Sequence, residues 1–391
     1  MDRPGTSPQR LREVARVFLK LGLIGFGGPA AHVALMHREV VERRGWMDEQ
    51  RFVDLFAVSN LLPGPTSTEL GIFLGYERAG WPGLLAAGVL FIAPAMLMVL
   101  ALAWTYVRFG SVPAIGWVLY GVTATVIGIV ADALWRIGRT AIRGVGWLLL
   151  AITALVLYLT GAPVLAILFG GALLAMLAVN RTRLRLRGTG VGGLVALVGS
   201  VPRIVISAAA PVAPATLALG PIFLEFLKLG AVVYGGGYVL LAFLRTDIVR
   251  NLHWISDHQL LDAVAVGQAT PGPVFTTAAF VGYLVHGWQG ALVATAGIFL
   301  PSFVLVAAAY RVLPRLKRSP WASALLAGAA ATALGLMAGV TYQLARVALV
   351  DAVTVGLAVA SFVVLRRYAW GSPWIILGGG AIGLVAKALT R

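Results

Sequence analysis

Two stretches of the chain repeat each other 208 residues apart, and both interrupt apolar segments with glycine and proline. The first copy reads FLKLGLIGFGGP from Phe18 and continues to LLPGPTST at Leu61. The second copy reads FLKLGAVVYGGG from Phe226 and continues to ATPGPVFT at Ala269. The pattern predicts two related halves, each broken where an apolar helix would otherwise run on. In membrane proteins, paired breaks of this kind point to a ligand site.

Composition places the chain in a lipid bilayer. It is 59% hydrophobic and 12% charged, whereas a soluble domain carries about 25% charged residues. Apolar runs long enough to span the membrane recur along the sequence. The polar tail 1–12 is not followed by a compact apolar stretch with a cleavage site, so we expect no removable signal peptide. These features predict an all-α polytopic membrane protein.

The charge and the cysteine content exclude several classes of function. The net charge of +16 comes from arginines beside the spans, as the positive-inside rule requires. No basic stripe interleaved with stacking aromatics is present, so a nucleic-acid partner is not predicted. The absence of cysteine excludes disulfides and thiolate metal sites. Without an apparent nucleophile–base or metal cluster, we predict neither catalysis nor a cofactor.

The basic loops predict how the first half crosses the membrane. The cluster 181–187 is the strongest cytoplasmic marker, and it places the arginines at 136–143 and the loop 38–51 on the same side, with the N-terminus. The segments 14–37 and 52–76 must then each enter and leave on one side, as re-entrant helical hairpins. Full spans are predicted at 82–108, 112–135, 144–160 and 162–180, and in the second half near 289–312, 320–345, 350–365 and 373–390.

An odd number of crossings would turn the second half upside down. The apolar connector 191–211 can cross once, which places the weakly charged loop 245–259 outside and the basic residues near 311–318 inside. The prediction is an inverted repeat of two homologous halves with broken, re-entrant hairpins. The expected divisions are an N-terminal tail 1–12, a first repeat 13–180, a basic linker and connector 181–217, and a second repeat 218–391.

Several short motifs together resemble one known family. They are FGGP at 26–29, the W-M-D turn at 46–48, the N-x-x-PGP-x-ST run at 60–68, YGGG at 234–237 and the T-PGP run at 270–273. With the Gly-Tyr pairs that follow each copy, these motifs resemble the long two-domain form of the chromate ion transporter (CHR) family over nearly the whole chain. The resemblance implies chromate export across the bacterial inner membrane, with sulfate as a chemical mimic. Gly237 stands where the first copy has Pro29, so the halves are not equivalent.

The breaks carry groups that can bind a tetrahedral dianion. Each PGP is followed by hydroxyl residues at a predicted helix start, where backbone N–H groups and the helix dipole attract anions. The alternative is that PGP only turns a hairpin and the hydroxyls cap it. The residues that we predict to contact the anion are Lys20, Gly27, Gly28, Asn60, Pro63, Gly64, Pro65, Thr66, Ser67 and Thr68 in the first copy, and Lys228, Gly235, Gly236, Gln268, Pro271, Gly272, Pro273 and Thr276 in the second.

Two matched pairs within this set each allow two interpretations. Lys20 and Lys228 lie inside apolar runs, where lysine is costly; they either attract the dianion or extend to the membrane interface. Asn60 and Gln268 stand three residues before each PGP. Their amides can donate to an oxyanion or satisfy the broken backbone beside them.

Glu69 differs from the residues above because its repeat partner is the neutral Thr277. Glu69 is a candidate for coupling anion transport to the movement of a proton. The alternative is that its carboxylate stabilises the dipole of the helix that starts there. His32 and His37 have no histidine counterparts, so no metal site is predicted.

Gradients must supply the energy, because no Walker-type nucleotide motif is present. Moving a dianion out of a negative-inside cell gains roughly 4.6 kcal/mol per 100 mV, which favours export. Uptake of sulfate or another small oxyanion remains the alternative, and a homodimer is left open.

Overall fold

The structure is a computed structural model that describes residues 7–110, 112–180, 218–234, 237, 239–316, 319–368 and 371–389, with the backbone alone at 311–316. The described residues form helices and no strands. The first repeat contains α1 (Pro8–Ile24), α2 (Gly28–His37), α3 (Glu49–Ser59), α4 (Thr66–Phe109), α5 (Pro113–Ala141), α6 (Val145–Leu159) and α7 (Val164–Val179). The second contains α8 (Leu219–Val232), α9 (Leu240–Phe243), α10 (Asp257–Ala269), α11 (Thr277–Leu316), α12 (Pro320–Ala348), α13 (Ala352–Tyr368) and α14 (Ser372–Leu389).

Local sequence signals set several helix starts. The Ser7 hydroxyl caps α1 by accepting from the Arg10 N–H at 3.2 Å, and the Asp48 carboxylate caps α3. Ser256 and Gln259 form a capping box at the start of α10. Both α2 and α9 run directly into π-helical turns, at Arg38–Arg43 and Leu244–Asn251. The matched turns show that the duplication extends to unusual local geometry.

Each of the two longest helices reverses direction. In α4 the reversal is at Ala79 and Gly80, and in α11 it is at His286 and Gly287. A Cβ built on Gly75 would collide with the carbonyl oxygen of Gly83, although eight residues of straight helix separate two positions by about 12 Å. Therefore α4 is a short arm, 66–78, packed antiparallel on a long arm, 81–109. The arms of α11 are 277–285 and 288–316.

The two reversals lie at opposite faces of the molecule. Tyr76, just before the first reversal, has its ring centroid 4.4 Å from that of Tyr310, near the far end of α11. Conversely, Tyr106 near the far end of α4 lies 5.2 Å from Phe280, which stands shortly before the second reversal. The long arms therefore run antiparallel, and the predicted inverted repeat is confirmed. We call the two faces the first-tip face, at Ala79–Gly80, and the second-tip face, at His286–Gly287.

Both hairpins of the first repeat begin and end at the first-tip face. Glu13 at the start of α1 accepts a hydrogen bond of 2.5 Å from Arg78 beside the reversal. The same guanidinium lies over Trp46, in the turn between α2 and α3, and Arg51 forms an ion pair with Glu77. The predicted re-entrant hairpins at 14–37 and 52–76 are thus confirmed in shape.

Most of the remaining helices pack against helices of the other repeat. α5 packs on α13 and α14 of the second repeat, and α12 packs on α6 and α7 of the first. Small residues allow the close approach: a Cβ on Gly128 would meet the Ala358 carbonyl, and one on its counterpart Gly335 would meet that of Ala151. The exchange interlocks the two halves.

The helices agree with the predicted spans to within a few residues. α4, α5, α11, α12 and α14 are long and apolar enough to cross a membrane, and α6 and α7 are shorter apolar helices. The predicted crossing at 191–211 lies outside the described residues. The helices that flank it, α7 and α8, lie in halves of opposite orientation.

Candidate functional site

Glycines in the left-handed region form the breaks in both repeats. Gly27 has φ of 102° and Gly28 has φ of 78°, at the gap between α1 and α2. In the two PGP turns, Gly64 has φ of 131° and Gly272 has φ of 97°. Only glycine takes these angles without strain. The breaks are therefore built into the backbone at the positions that the repeated motifs predict.

Each PGP turn is hydrogen-bonded to the broken helix of the other repeat. The Gly64 N–H donates to the Val233 carbonyl at 2.8 Å, and the Gly272 N–H donates to the Gly25 carbonyl at 2.8 Å. These two bonds are equivalent under the repeat, because Gly25 corresponds to Val233 and Gly64 to Gly272. Unsatisfied backbone groups in lipid are costly, so this reciprocal pairing explains how four breaks can coexist in the interior of the protein.

A cavity of about 570 Å³ lies beside the breaks of the first repeat. Its walls come from the start of α2 and the gap before it, the end of α3, the PGP turn, the end of α5, and α12. Because these parts of α2, α3 and α5 lead to the first-tip face, the cavity lies on that side. The residues that line it include Gly27, Pro29, Asn60, Leu62, Thr66, Arg136, Thr140, Arg143, Tyr234 and Gly237.

The polar groups of the cavity are held by a few bonds. The Tyr234 hydroxyl donates to the Asn60 carbonyl at 2.6 Å, and the Asn60 amide donates to the Phe56 carbonyl at 2.9 Å. Arg136 pairs with the buried Asp132 at 2.8 Å, and the Arg143 Nε donates to the Thr140 carbonyl at 3.4 Å. Two guanidinium groups and a helix start at Thr66 thus face one space, and both attract anions.

A buried histidine connects the two breaks of the first repeat. The His32 Nε2 lies 2.7 Å from the Gly25 carbonyl, to which it donates, and Nδ1 lies 3.1 Å from the Ser67 hydroxyl. In the neutral ring Nδ1 therefore accepts from Ser67. His32 fixes the short arm of α4 to the end of α1, which is a structural role.

The corresponding region of the second repeat is closed. Gln268, the counterpart of Asn60, is 6% exposed, and all residues from Thr270 to Phe280 are buried. α3 and α10 each pack on the long helix of their own repeat, α4 and α11, but α10 also packs against α5, α12 and α14. On this side Arg245 binds Asp257 with bonds of 2.7 and 3.0 Å, and it also binds Gln343 on α12. The cluster of Arg245, Asp257 and Gln343 joins α10 to α12, and we call it the second-repeat latch.

Lys20 and Lys228 are both ion-paired. Lys20 binds Glu39, and Lys228 binds Glu225 at 2.5 Å and Asp247 at 3.0 Å. Glu39 and Asp247 are themselves counterparts in the two π-helical turns. The Lys20 ammonium, together with Arg43 and Arg44, lowers the pKa of Glu39 to about 2.

The predicted site residues are therefore not gathered in one place. Gly27, Asn60 and Thr66 line the cavity. The other first-copy members of the breaks do not line it, and the second-copy members Gln268, Pro271, Gly272, Pro273 and Thr276 lie in the closed region. Lys20 and Lys228 lie in ion pairs, and Gly235 and Gly236 lie outside the described residues. Arg136, Arg143, Thr140 and Tyr234 were missed. The sequence showed the arginines only as topology markers, and nothing in it indicates that α5 ends beside the breaks.

Comparisons with known proteins agree with this architecture. The family model described as Chromate transporter matches residues 12–176 and again 220–384. A chromate transport protein of Cupriavidus metallidurans is 35% identical, with 97% of this chain and 94% of that protein covered. A chromate transport protein of Pseudomonas aeruginosa is 32% identical, with 94% and 90% covered. A probable chromate transport protein of Synechococcus elongatus is 34% identical, with 87% and 86% covered. No solved structure shows a significant match.

Proposed function

Because the chain belongs to the chromate transporter family, we propose that it exports chromate across the bacterial inner membrane. The transport is secondary and leaves the anion chemically unchanged. The observation that carries this proposal is the cavity beside the first-repeat breaks. It combines two arginines, hydroxyl and amide groups, and the start of the short arm of α4.

The cavity chemistry suits a tetrahedral dianion. A dianion that leaves water must receive hydrogen bonds from several fixed donors, and charge-assisted bonds from arginine are the strongest of these. Arg143 and Arg136 supply charge at the wall, and Thr66 supplies a hydroxyl at a helix N-terminus. We propose that chromate contacts Gly27, Asn60, Thr66 and Arg143. Lys20 and Lys228 would hold the π-helical turns in place instead.

The distribution of arginines supports an orientation. The loop 38–51 and the arginines at 136–143 share the first-tip face, and the cluster 181–187 follows α7 in the sequence. By the positive-inside rule this face is cytoplasmic, and the N-terminus with it. The cavity would then collect chromate from inside the cell. Outward movement gains about 4.6 kcal/mol per 100 mV from a negative-inside potential.

The inverted repeat supplies a way to release the anion outside. In such folds, one repeat exchanges its conformation with the other around a central site. Here the first repeat is open at its face and the second is closed by the second-repeat latch. Opening of the latch with closure of the first-repeat cavity would expose the breaks to the other side.

The direct test is accumulation of labelled chromate in cells with and without the protein. Expressing cells should accumulate less chromate, an uncoupler should abolish the difference, and excess sulfate should compete if the site reads only charge and shape. Equal accumulation in both strains would exclude chromate as the substrate, and greater accumulation in expressing cells would reverse the direction.

A matched pair of variants tests the cavity. Arg143→Gln should weaken export roughly tenfold, because a hydrogen bond to a charged group is worth about 1.5–3 kcal/mol. Arg139→Gln is the control, because Arg139 lies in the last turn of α5, four residues before Arg143, but borders a separate apolar cavity. Equal loss in both variants would indicate a general charge effect and not a binding site.

A further inference from the structure

Buried oxygen atoms without hydrogen-bond partners are concentrated at the first PGP turn. Among the described residues, four of the seven such side-chain oxygens lie there, namely Thr68 Oγ1, both carboxyl oxygens of Glu69, and Ser302 Oγ. Glu69 and Ser302 are both 0% exposed. A Cβ on Gly64 would lie 2.5 Å from Glu69 Oε1 and 2.8 Å from Ser302 Oγ. The carboxyl and the hydroxyl thus border the same small space, one from each repeat.

A carboxyl group in this position has to be neutral. An ionised carboxylate that is buried without a partner costs far more than a protonated one, so the group takes up a proton instead. α1 faces this part of α4 through Phe18, and α2 faces it through the bonded His32. The end of α8 contributes Tyr234, whose hydroxyl is bonded to Asn60, and α11 contributes Ser302. Among the described residues, none of these neighbours offers Glu69 a cation.

The second repeat has no equivalent of this pair. The counterpart of Glu69 is Thr277, whose hydroxyl donates to the Val274 carbonyl at 2.7 Å, and the counterpart of Ser302 is Ala95. A residue that only stabilised a helix start would be expected in both halves, as the PGP turns are. The carboxyl of Glu69 also receives no bond from the first-turn N–H groups, so it does not cap the helix.

The position of Glu69 connects it to the cavity. Thr66 lines the cavity, and Glu69 lies one helical turn beyond it on the same short arm, so the two residues share a face of the helix. A shift of the short arm against α11 would separate Glu69 from Ser302 and bring it towards the cavity that Thr66 lines. Such a shift would link the protonation of Glu69 to the conformation of the breaks.

We propose that Glu69 carries the proton that is exchanged for chromate, so that one proton enters as one dianion leaves. This inference rests on the proposed export function. The proton binds Glu69 when the carboxyl is enclosed against Ser302 and dissociates when the short arm opens it to water. Each cycle moves three charges in the same electrical direction, because an inward proton and an outward dianion add.

The experiment uses purified protein in liposomes, with the membrane potential clamped at zero by potassium and valinomycin. Wild-type protein should accumulate labelled chromate against its gradient when a pH gradient is imposed. Glu69→Gln, which is isosteric with the protonated acid, should lose this accumulation at least tenfold but keep exchange of labelled for unlabelled chromate. Glu77→Gln, on the same arm but paired with Arg51 at the first-tip face, is the control and should keep both.

The outcomes separate the two proposals. Accumulation by Glu69→Gln that still follows the pH gradient would overturn the coupling role. Loss of exchange together with accumulation would also overturn it, since Glu69 would then belong to the anion pathway. Wild-type accumulation that follows a sodium gradient and ignores pH would replace the proton by sodium. Absence of chromate exchange by the wild-type protein would instead refute the export function itself.

Discussion

The two repeats share a backbone design but differ in how their first hairpins pack. In both, a PGP turn is bonded to the broken helix of the other repeat, and a long helix reverses at a glycine. Yet Asn60 is exposed in a cavity, whereas its counterpart Gln268 is buried. The shared features lie at the centre of the protein, and the differences lie in α3 and α10, which pack around it.

Side-chain substitutions explain why the second repeat can close as it does. Arg245 bonds to Asp257 and reaches Gln343. The counterparts are His37, which bonds to Glu49 at 2.5 Å, and Arg136, which pairs with Asp132. His37 and Arg136 would repel each other when the ring is charged, so the first repeat lacks the attraction that joins α10 to α12. The duplicated scaffold is therefore symmetric, whereas the packing of α3 and α10 around it is not.

An added methyl group at either helix reversal should destabilise the shared scaffold. Gly75→Ala and Gly282→Ala should each destabilise the protein by about 3 kcal/mol, because the new Cβ would meet a backbone carbonyl that cannot move aside. Gly146→Ala, with nothing within 4 Å, is the control and should be close to neutral. Thermal unfolding in detergent measures all three. Unequal losses at Gly75 and Gly282 would show that the two reversals are not equivalent.

The difference in accessibility can be measured directly, since the chain has no cysteine. A single cysteine at position 60 should react with a water-soluble maleimide at least tenfold faster than one at position 268, because buried thiols are protected. Equal labelling in denaturant controls for intrinsic reactivity. Similar rates in the folded protein would mean that both repeats open to the same extent.

Weakening the second-repeat latch should reduce the difference in labelling rate between positions 60 and 268. Asp257→Asn removes one of the charges beside Arg245, which is only 11% exposed, so the closed state loses a paired charge. Labelling at position 268 should then rise about threefold. Glu49→Gln, the matching change in the first repeat, should leave it unchanged because α3 has no latch to release. A rise with Glu49→Gln alone would refute the assignment of the latch.

Acid should affect one small cluster of the first repeat. The pKa of Glu39 falls from 4.5 to about 2, so its pairing stabilises the folded protein fully above pH 4.5. This stabilisation is lost as the pH falls from 4.5 towards 2. Lys20 is 44% exposed, so the effect should stay below about 1 kcal/mol. Glu39→Gln should remove that part of the acid sensitivity. An unchanged stability profile would show that the three cations do not act on Glu39.

The sequence predicted the scaffold better than the site. Repetition, apolar run length and loop arginines were enough for the breaks, the spans and the inversion, because all of these are local patterns or sums over loops. The cavity depends on where α5 ends relative to α3, which only tertiary packing decides. Arg143 and Tyr234 therefore escaped prediction, and Lys20 could not be assigned to Glu39.

The exchange of helices between the repeats has a consequence for biosynthesis. α5 emerges early, but the helices that cover it, α13 and α14, are the last to be made. Its glycine-lined faces, such as that at Gly128, therefore lack their packing partners in the membrane until synthesis ends. We expect the nascent chain to depend on a membrane-resident chaperone or insertase during that interval, and truncations near the C-terminus to be degraded even though they leave every residue of the first repeat in place.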